Sequence, residues 1–193
     1  MSGAARPPEG GAATGELHLI PVGLGEADPG RWLPAEVQGL AGRLQTYIAE
    51  NAKTARAFLK CVVTRLPLQE IVIHTLSPNT SAAEIEGWLA PLKRGGEVGL
   101  VSEAGCPAVA DPGARVVAAA HAMGIDVNPW VGPSSILLGL MASGLDGQRF
   151  AFHGYAPVHE GERARQLKAW EQASAQAAQT QILIETPYRN RAM

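Results

Sequence analysis

Strand-like and helix-like segments alternate along most of this chain. Short apolar or β-branched runs, such as 70–76 and 98–101, are followed by stretches with apolar residues at helical spacing, such as 81–93 and 114–123. This alternation is typical of a mostly parallel sheet that is covered by helices on both faces. The sequence therefore predicts an α/β fold.

The pattern changes after residue 146, where two further strands flank one long polar helix. Two strands are too few for an independent sheet, so we expect a second, smaller α/β lobe that is incomplete here, with further chain missing. The expected organisation is a flexible tail at 1–15, an N-terminal α/β lobe at 16–146 and the start of a C-terminal α/β lobe at 147–193.

Composition narrows the classes of protein. The 193 residues are 46% apolar and carry a net charge of −2, so no global basic field points to nucleic acid. The two cysteines lie far apart in sequence, which favours reduced thiols in a reducing compartment over a disulfide. The five histidines are not spaced like the ligands of a metal site. No apolar run approaches the roughly 20 residues that span a bilayer. We therefore expect a soluble cytoplasmic protein with neither a metal site nor a membrane anchor.

The long loop at 102–113 is the strongest candidate for a binding site. Strand–helix connections are usually about two to six residues long, and this one is longer, with prolines and glycines that fix its path. Glu103 and Asp111 bracket it with no basic residue between them, so it suits a ligand that is neutral, cationic or bound through hydroxyls. Cys106 is interpreted as a small pocket-lining residue, because no histidine or asparagine lies near it in sequence to activate a thiol.

Other turns also follow predicted strands, and the carboxyl ends of parallel strands meet at one edge of a sheet. Each of these turns also fits a plain tight turn or helix start. Serine hydroxyls in the third are expected to cap the helix that follows. The turns are Gly23-Leu24-Gly25, Glu50-Asn51-Ala52-Lys53 and Gly132-Pro133-Ser134-Ser135, with 152–155 and 185–189 in the second lobe.

Six segments in this order resemble one known family. They are PVGLG (21–25), IAENAKTARAFL (48–59), VGLVSEAGCPAVADPG (98–113), VGPSS (131–135), ASGLDGQRFAFHGYAP (142–157) and IETPYRN (184–190). Together they resemble the tetrapyrrole methylase-like family of S-adenosylmethionine-dependent methyltransferases. Within that family they are most similar to the branch of the small-subunit ribosomal RNA cytidine ribose-2′-O-methyltransferase.

The resemblance implies a two-lobed α/β homodimer, the tetrapyrrole methylase-like fold, with S-adenosylmethionine bound in the cleft between the lobes. The chain departs from the family pattern at Glu103, where aspartate is usual, and at Cys106, where threonine is usual. It also has Glu50-Asn51-Ala52-Lys53 where the ribosomal RNA branch has Glu-Asp-Thr-Arg, so a carboxylate is lost at Asn51. The cofactor-binding positions that the resemblance implies are Gly23, Gly25, Ser102, Glu103, Ala104, Gly105, Cys106, Pro107, Gly132, Pro133, Ser134, Ser135, Tyr155, Glu185 and Thr186.

The function expected from the resemblance is methyl transfer, with RNA as acceptor. If a ribose hydroxyl accepts the methyl group, a base within hydrogen-bond reach would help, and Glu50 and Glu185 are the candidate catalytic residues. Lys53 and Arg56 begin a basic stripe along one helix face that we expect to contact RNA phosphates.

Other functions remain open at this point. One is methylation of a tetrapyrrole carbon, as in cobalamin or siroheme synthesis, and another is a non-catalytic cofactor-binding module. A Rossmann-type oxidoreductase is disfavoured because the G-x-G-x-x-G fingerprint is absent.

Overall fold

The computed structural model describes residues 15–186 and 188–190. The predicted tail at 1–15 lies outside the described residues, apart from Gly15. The strands are β1 (Glu16–Leu19), β2 (Thr46–Ala49), β3 (Val72–Thr75), β4 (Glu97–Val101), β5 (Asp126–Pro129), β6 (Phe150–Tyr155) and β7 (Thr180–Ile184). The α-helices are α1 (Ala35–Arg43), α2 (Ala52–Cys61), α3 (Ala82–Leu89), α4 (Ala114–Ala122), α5 (Ser135–Ser143) and α6 (Glu160–Ala177).

Five strands form one sheet in the order β3-β2-β4-β1-β5. Every neighbouring pair is parallel; Leu17, for example, lies opposite Val98 on one side and Val127 on the other. Parallel neighbours require a crossover between successive strands, and helices α1 to α4 supply these crossovers. The predicted α/β class, with a mostly parallel first sheet covered by helices, is therefore confirmed.

Alternation along the strands sorts the helices onto the two faces of this sheet. On β2, Tyr47 and Ala49 join a buried cluster with side chains of α1 and α2, whereas Ile48 joins a second cluster with side chains of α3 and α4. Successive residues of a strand point to opposite faces, so α1 and α2 cover one face and α3 and α4 the other. The two clusters make the sheet a buried central layer.

Local sequence signals set the helix boundaries. The side chain of Asn51 accepts the N–H of Lys53 at the start of α2, and Ser81 and Glu84 form a reciprocal capping box on α3. The helix predicted at 81–93 ends early: it changes at Ala90 into a 3₁₀ turn, Ala90–Arg94. Pro91 has no N–H to continue the α-helical hydrogen bonds, which explains the change.

The chain divides into two compact units, one ending at Pro133 and the other beginning at Ser134. In the second unit β6 and β7 pair in parallel, α6 connects them, and His153 stacks on Trp170 with ring centroids 4.5 Å apart. Thr180 ties the segment before β6 to this unit, because its hydroxyl donates to the carbonyl of Asp146 at 2.8 Å. The division precedes α5, whereas the sequence placed the lobe boundary after it, near residue 146; the limits of the functional lobes stay a prediction.

No helix within the described residues combines the length and the apolar character needed to cross a membrane.

Candidate functional site

The neighbouring strands β1 and β4 continue into helices on opposite faces of the first sheet. Helix α1 follows β1 and packs in the same cluster as Tyr47, whereas α4 follows β4 and packs with Ile48. A pair of neighbouring strands whose connections leave in opposite directions opens a crevice at their carboxyl ends, where open α/β sheets bind ligands. The structure therefore places the crevice between the turn after β1 (21–25, the β1 turn) and the loop after β4 (102–113, the β4 loop).

The β1 turn is joined to the β4 loop by an antiparallel bridge. Val22 N–H donates to the Gly105 carbonyl at 2.9 Å, and Gly105 N–H donates to the Val22 carbonyl at 2.9 Å. Gly105 has φ +76°, a left-handed conformation that glycine adopts without steric cost. Gly105, one of the cofactor positions that the resemblance implies, is thus a point of contact between the two loops.

The turn after β5 closes a third side. The Cys106 thiol lies 3.4 Å from the Pro133 carbonyl, to which it donates. A Cβ atom on Gly132 would lie 2.2 Å from Cβ of Pro21, so glycine is needed where these two turns touch. Burial raises the pKa of Cys106, which keeps the thiol protonated and argues against a nucleophilic role. Its role as a pocket-lining residue stays a prediction.

The β4 loop is held by its own polar groups. The buried Ser102 hydroxyl contacts the carbonyls of Ala104, at 3.2 Å, and Gly105, at 3.1 Å. Asp111 accepts the N–H groups of Ala108 and Gly113. Asp111 was noted in the sequence as a bracketing acid but was not among the predicted site residues. The signal that marks it is Asp-Pro-Gly, because an aspartate often bonds the backbone N–H two residues ahead.

Glu50, which directly follows β2, belongs to the same electrostatic environment. Burial raises the pKa of Glu50, and the negative charges of Asp111 and Glu103 raise it further. The influence of Asp111 and Glu103 indicates that β2 and the β4 loop contribute acids to one region of the sheet edge. This arrangement favours a ligand with positive charge.

Helix α2 presents a basic face next to Glu50. Lys53, Arg56 and Lys60 are all exposed, while Phe58 and Leu59 are buried on the opposite side. No acidic residue lies within α2. Asn51 begins this helix with its side-chain oxygen, as an aspartate would, so the departure from the family pattern at Asn51 leaves the helix start intact.

The remaining candidates belong to the second unit, where each is described within that unit. Tyr155 ends β6 and is about half exposed, and Thr186 N–H donates to a carboxylate oxygen of Glu185 at 3.0 Å. The other oxygen of this carboxylate lies 3.2 Å from the Arg189 guanidinium. Arg189 also donates to the carbonyls of Ala156 and Pro157, at 3.3 Å each, so it links the carboxyl ends of β6 and β7.

Ser134 and Ser135 begin α5. Ser134 occupies the N-cap position, but its side chain makes no capping hydrogen bond among the described residues. The prediction that these hydroxyls cap the helix is therefore wrong for Ser134. The cap needs a side-chain rotamer that aims the hydroxyl at the second or third amide of the helix, and the residue type alone does not fix that rotamer.

A second polar cluster lies at the opposite, amino edge of the sheet. Glu16, His18 and Glu97 offer three ligand atoms within 4.8 Å of one another. Trp130 donates to Nδ1 of the buried His18 at 3.3 Å, and Nε2 of His18 lies 3.1 Å from Glu97, which also pairs with Arg43. Both ring nitrogens and the Glu97 carboxylate thus already have partners, which favours a structural role for this cluster.

The parallel α/β fold is consistent with a methyltransferase, and the comparisons with known proteins point to the same class. Over 156 residues, or 79% of this chain, it is 33% identical to "Ribosomal RNA small subunit methyltransferase I" of Xylella fastidiosa, of which it covers 53%. The protein of that name from Synechocystis sp. is 39% identical over 91% of this chain, which covers 58% of that relative. The one from Mesorhizobium japonicum is 44% identical over 52% of this chain, which covers 33% of that relative.

The predicted resemblance to the small-subunit ribosomal RNA methyltransferase branch is therefore confirmed. The chain spans about half the length of the curated relatives it matches. No protein-family model matches the chain.

Proposed function

We propose that this chain acts in methyl transfer from S-adenosylmethionine to the RNA of the small ribosomal subunit, at a ribose 2′-hydroxyl. The observation that carries the proposal is the similarity to proteins named ribosomal RNA small subunit methyltransferase I. In the Synechocystis relative this similarity extends over 91% of the chain and so spans the loops after β1, β2, β4 and β5.

The crevice suits the cofactor in charge. Its walls are the β1 turn and the β4 loop, whose backbones are fixed by the bridge between Val22 and Gly105, and its rim carries Glu50, Glu103 and Asp111. When bound, S-adenosylmethionine supplies an electrophilic methyl group on a positively charged sulfur. Acids near that charge favour the cationic donor over the neutral product that remains after transfer. The proposed cofactor contacts of the first unit are Gly23, Gly25, Ser102–Pro107, Gly132 and Pro133.

Glu50 is the proposed proton acceptor for the ribose hydroxyl. A general base works best when its pKa approaches the working pH, and burial together with the Asp111 and Glu103 charges moves the pKa of Glu50 in that direction. The carboxylate directly follows β2, at the edge that carries the crevice. Glu185, with Tyr155 and Thr186, is the proposed contribution of the second unit to the cofactor.

The basic face of α2 is the proposed contact for RNA. Exposed Lys53 and Arg56 follow Glu50 by three and six positions, so phosphates bound there would bring a ribose toward the same rim. A homodimer, which the resemblance to the tetrapyrrole methylase-like family supports, would present this face twice. A ribosomal RNA substrate also implies a cytoplasmic reaction.

The test is transfer of a labelled methyl group from S-adenosylmethionine to small ribosomal subunits from a strain that lacks the corresponding methyltransferase. We expect label at one ribose, identified by mass spectrometry of nuclease fragments. Glu50→Gln should lose transfer even at saturating S-adenosylmethionine. Cofactor binding without any transfer would support a binding module instead, and label on a tetrapyrrole but not on RNA would support the C-methyltransferase alternative.

A matched pair of variants tests the RNA contact. Lys53→Glu/Arg56→Glu reverses two charges on α2, and Lys93→Glu/Arg94→Glu reverses two exposed charges just before β4, at the amino edge of the sheet. We expect the first pair to weaken RNA binding without changing cofactor affinity, and the second pair to leave both unchanged. Equal effects of the two pairs would mean that net charge, rather than the α2 face, governs RNA binding.

A further inference from the structure

Asp111 holds the end of the β4 loop through three short contacts. Both carboxylate oxygens lie 3.0 Å from the Ala108 nitrogen, and Oδ1 also accepts the N–H of Gly113 at 2.7 Å. The first of these amides directly follows Pro107, at the end of the segment proposed to contact the cofactor. One side chain therefore closes the loop onto itself between that segment and α4.

The backbone that Asp111 encloses is strained. Ala108 has φ +67° and Ala110 has φ +60°, the left-handed region in which a side chain costs free energy that glycine avoids. Residues stay in such conformations only when surrounding contacts hold them, and they concentrate at functional sites. The hydrogen bonds to Asp111 are the contacts that span both alanines.

The absence of a side chain at Gly113 leaves room for the hydrogen bonds of the Asp111 carboxylate. A Cβ atom at this position would lie 2.7 Å from Oδ1 of Asp111 and 3.2 Å from the nitrogen of Ala108. Its φ of −58° is open to any residue, so the requirement for glycine comes from these neighbours and from Cδ2 of Leu100, which would lie 3.3 Å away. The carboxylate oxygen is the nearest of the three. The arrangement can thus be disturbed from either partner.

We propose that Asp111 is a positioning residue of the cofactor site: its carboxylate holds Ala108 and Ala110 in the left-handed form that fixes the β4 loop before the cofactor binds. The proposal rests on the proposed function, since it concerns affinity for S-adenosylmethionine. A loop ordered in advance binds more tightly because binding does not have to supply the ordering free energy. Asp111 acts here through the loop and needs no contact with the cofactor.

The first test is calorimetric titration of S-adenosylmethionine into variants of the chain. We expect Asp111→Ala to lose roughly tenfold or more in affinity, as for the loss of hydrogen bonds to a charged group. Asp111→Asn should stay within roughly threefold of wild type, because its amide oxygen still accepts both N–H groups. Adding Ala108→Gly/Ala110→Gly to Asp111→Ala should restore roughly threefold or more, since glycine adopts these φ values without strain.

The second test disturbs the contact between the Asp111 carboxylate and Gly113 by changing Gly113. Gly113→Ala pushes a methyl group against the carboxylate, and we expect it to lose affinity as Asp111→Ala does. Gly39→Ala, a position with nothing within 4 Å of the added carbon in α1, is the matched control and should bind normally. If Asp111→Ala does not fold, Gly113→Ala carries the comparison.

Two results would overturn the proposal. The first is wild-type affinity for S-adenosylmethionine in both Asp111→Ala and Gly113→Ala. The second is a loss of affinity in Asp111→Asn as large as in Asp111→Ala, with no recovery when the two glycines are added. That second result would indicate a direct effect of the Asp111 charge on the cofactor. If the wild-type chain does not bind S-adenosylmethionine, the proposed function fails instead. The loop is then tested by hydrogen exchange at the Ala108 and Gly113 amides, which should speed up at least roughly tenfold in Gly113→Ala; unchanged exchange would overturn the positioning role.

Discussion

Replacing Gly105 by alanine tests whether the bridge between the β1 turn and the β4 loop fixes the backbone. An added Cβ would lie 3.4 Å from Leu24 and 3.5 Å from the Pro133 carbonyl, which are ordinary contacts, so the cost is conformational. At φ +76° a side chain costs about 1–2 kcal/mol. Alanine also restricts the unfolded chain, which offsets about 0.4–1 kcal/mol. The expected net loss in free energy of unfolding is about 1 kcal/mol.

The two hydrogen bonds with Val22 make this cost unavoidable. Relaxing φ at Gly105 would turn its N–H and carbonyl away from the Val22 groups, each now at 2.9 Å. Gly25 is the matched control, because it lies outside the left-handed region and an added Cβ has nothing within 4 Å among the described residues. Because alanine restricts the unfolded chain here too, we expect Gly25→Ala to be more stable than the wild type by about 0.4–1 kcal/mol.

Urea denaturation and thermal melting measure the difference, which should lower the melting temperature of Gly105→Ala by about 2–4 °C. Titration with S-adenosylmethionine is the second readout, and both variants should bind more weakly if both glycines approach the cofactor. Wild-type stability of Gly105→Ala would refute the reasoning about the bridge. Wild-type affinity of Gly25→Ala would show that the β1 turn does not contact the cofactor.

Three further outcomes are expected. Gly99→Ala should cost about 1–3 kcal/mol in urea denaturation, because its Cβ would lie 2.5 Å from the buried Tyr47 ring; an unchanged midpoint would contradict this packing. The raised pKa of Glu50 means that its stability contribution is fully present below about pH 4 and is lost as pH rises through the folded-state pKa. Glu50→Gln should therefore be more stable than wild type at pH 7, with the difference vanishing near pH 4. Lys53→Glu/Arg56→Glu should reduce the salt dependence of RNA binding, measured as log affinity against log salt, by about two units or more; an unchanged slope would rule out phosphate contacts there.

Much of the local structure was predictable because its causes are local. The strand predicted at 98–101 lies within β4, and the helix predicted at 114–123 matches α4 to within one residue. The position of the β4 loop after a buried strand followed from the apolar run that ends at Val101. Period-two and helical spacing, caps and turn residues act over a few positions, so each can be interpreted without knowing what else packs nearby.

The contacts that shape the candidate site depend on the tertiary structure. The alternation of strands and helices along the sequence predicts a parallel sheet. The placement of β4 between β1 and β2, however, depends on the directions that the crossover connections take. Because of this placement, Val22 lies next to Gly105. The hydrogen bonds of Asp111 to the loop backbone depend on side-chain rotamers and backbone angles that residue type does not fix. The same is true of the start of α5, where the Ser134 side chain makes no capping hydrogen bond. The sequence by itself thus determined the elements and the turns that carry the candidate residues. Only the folded chain decided which of these turns touch, because that choice rests on burial and hydrogen bonds between positions some eighty residues apart.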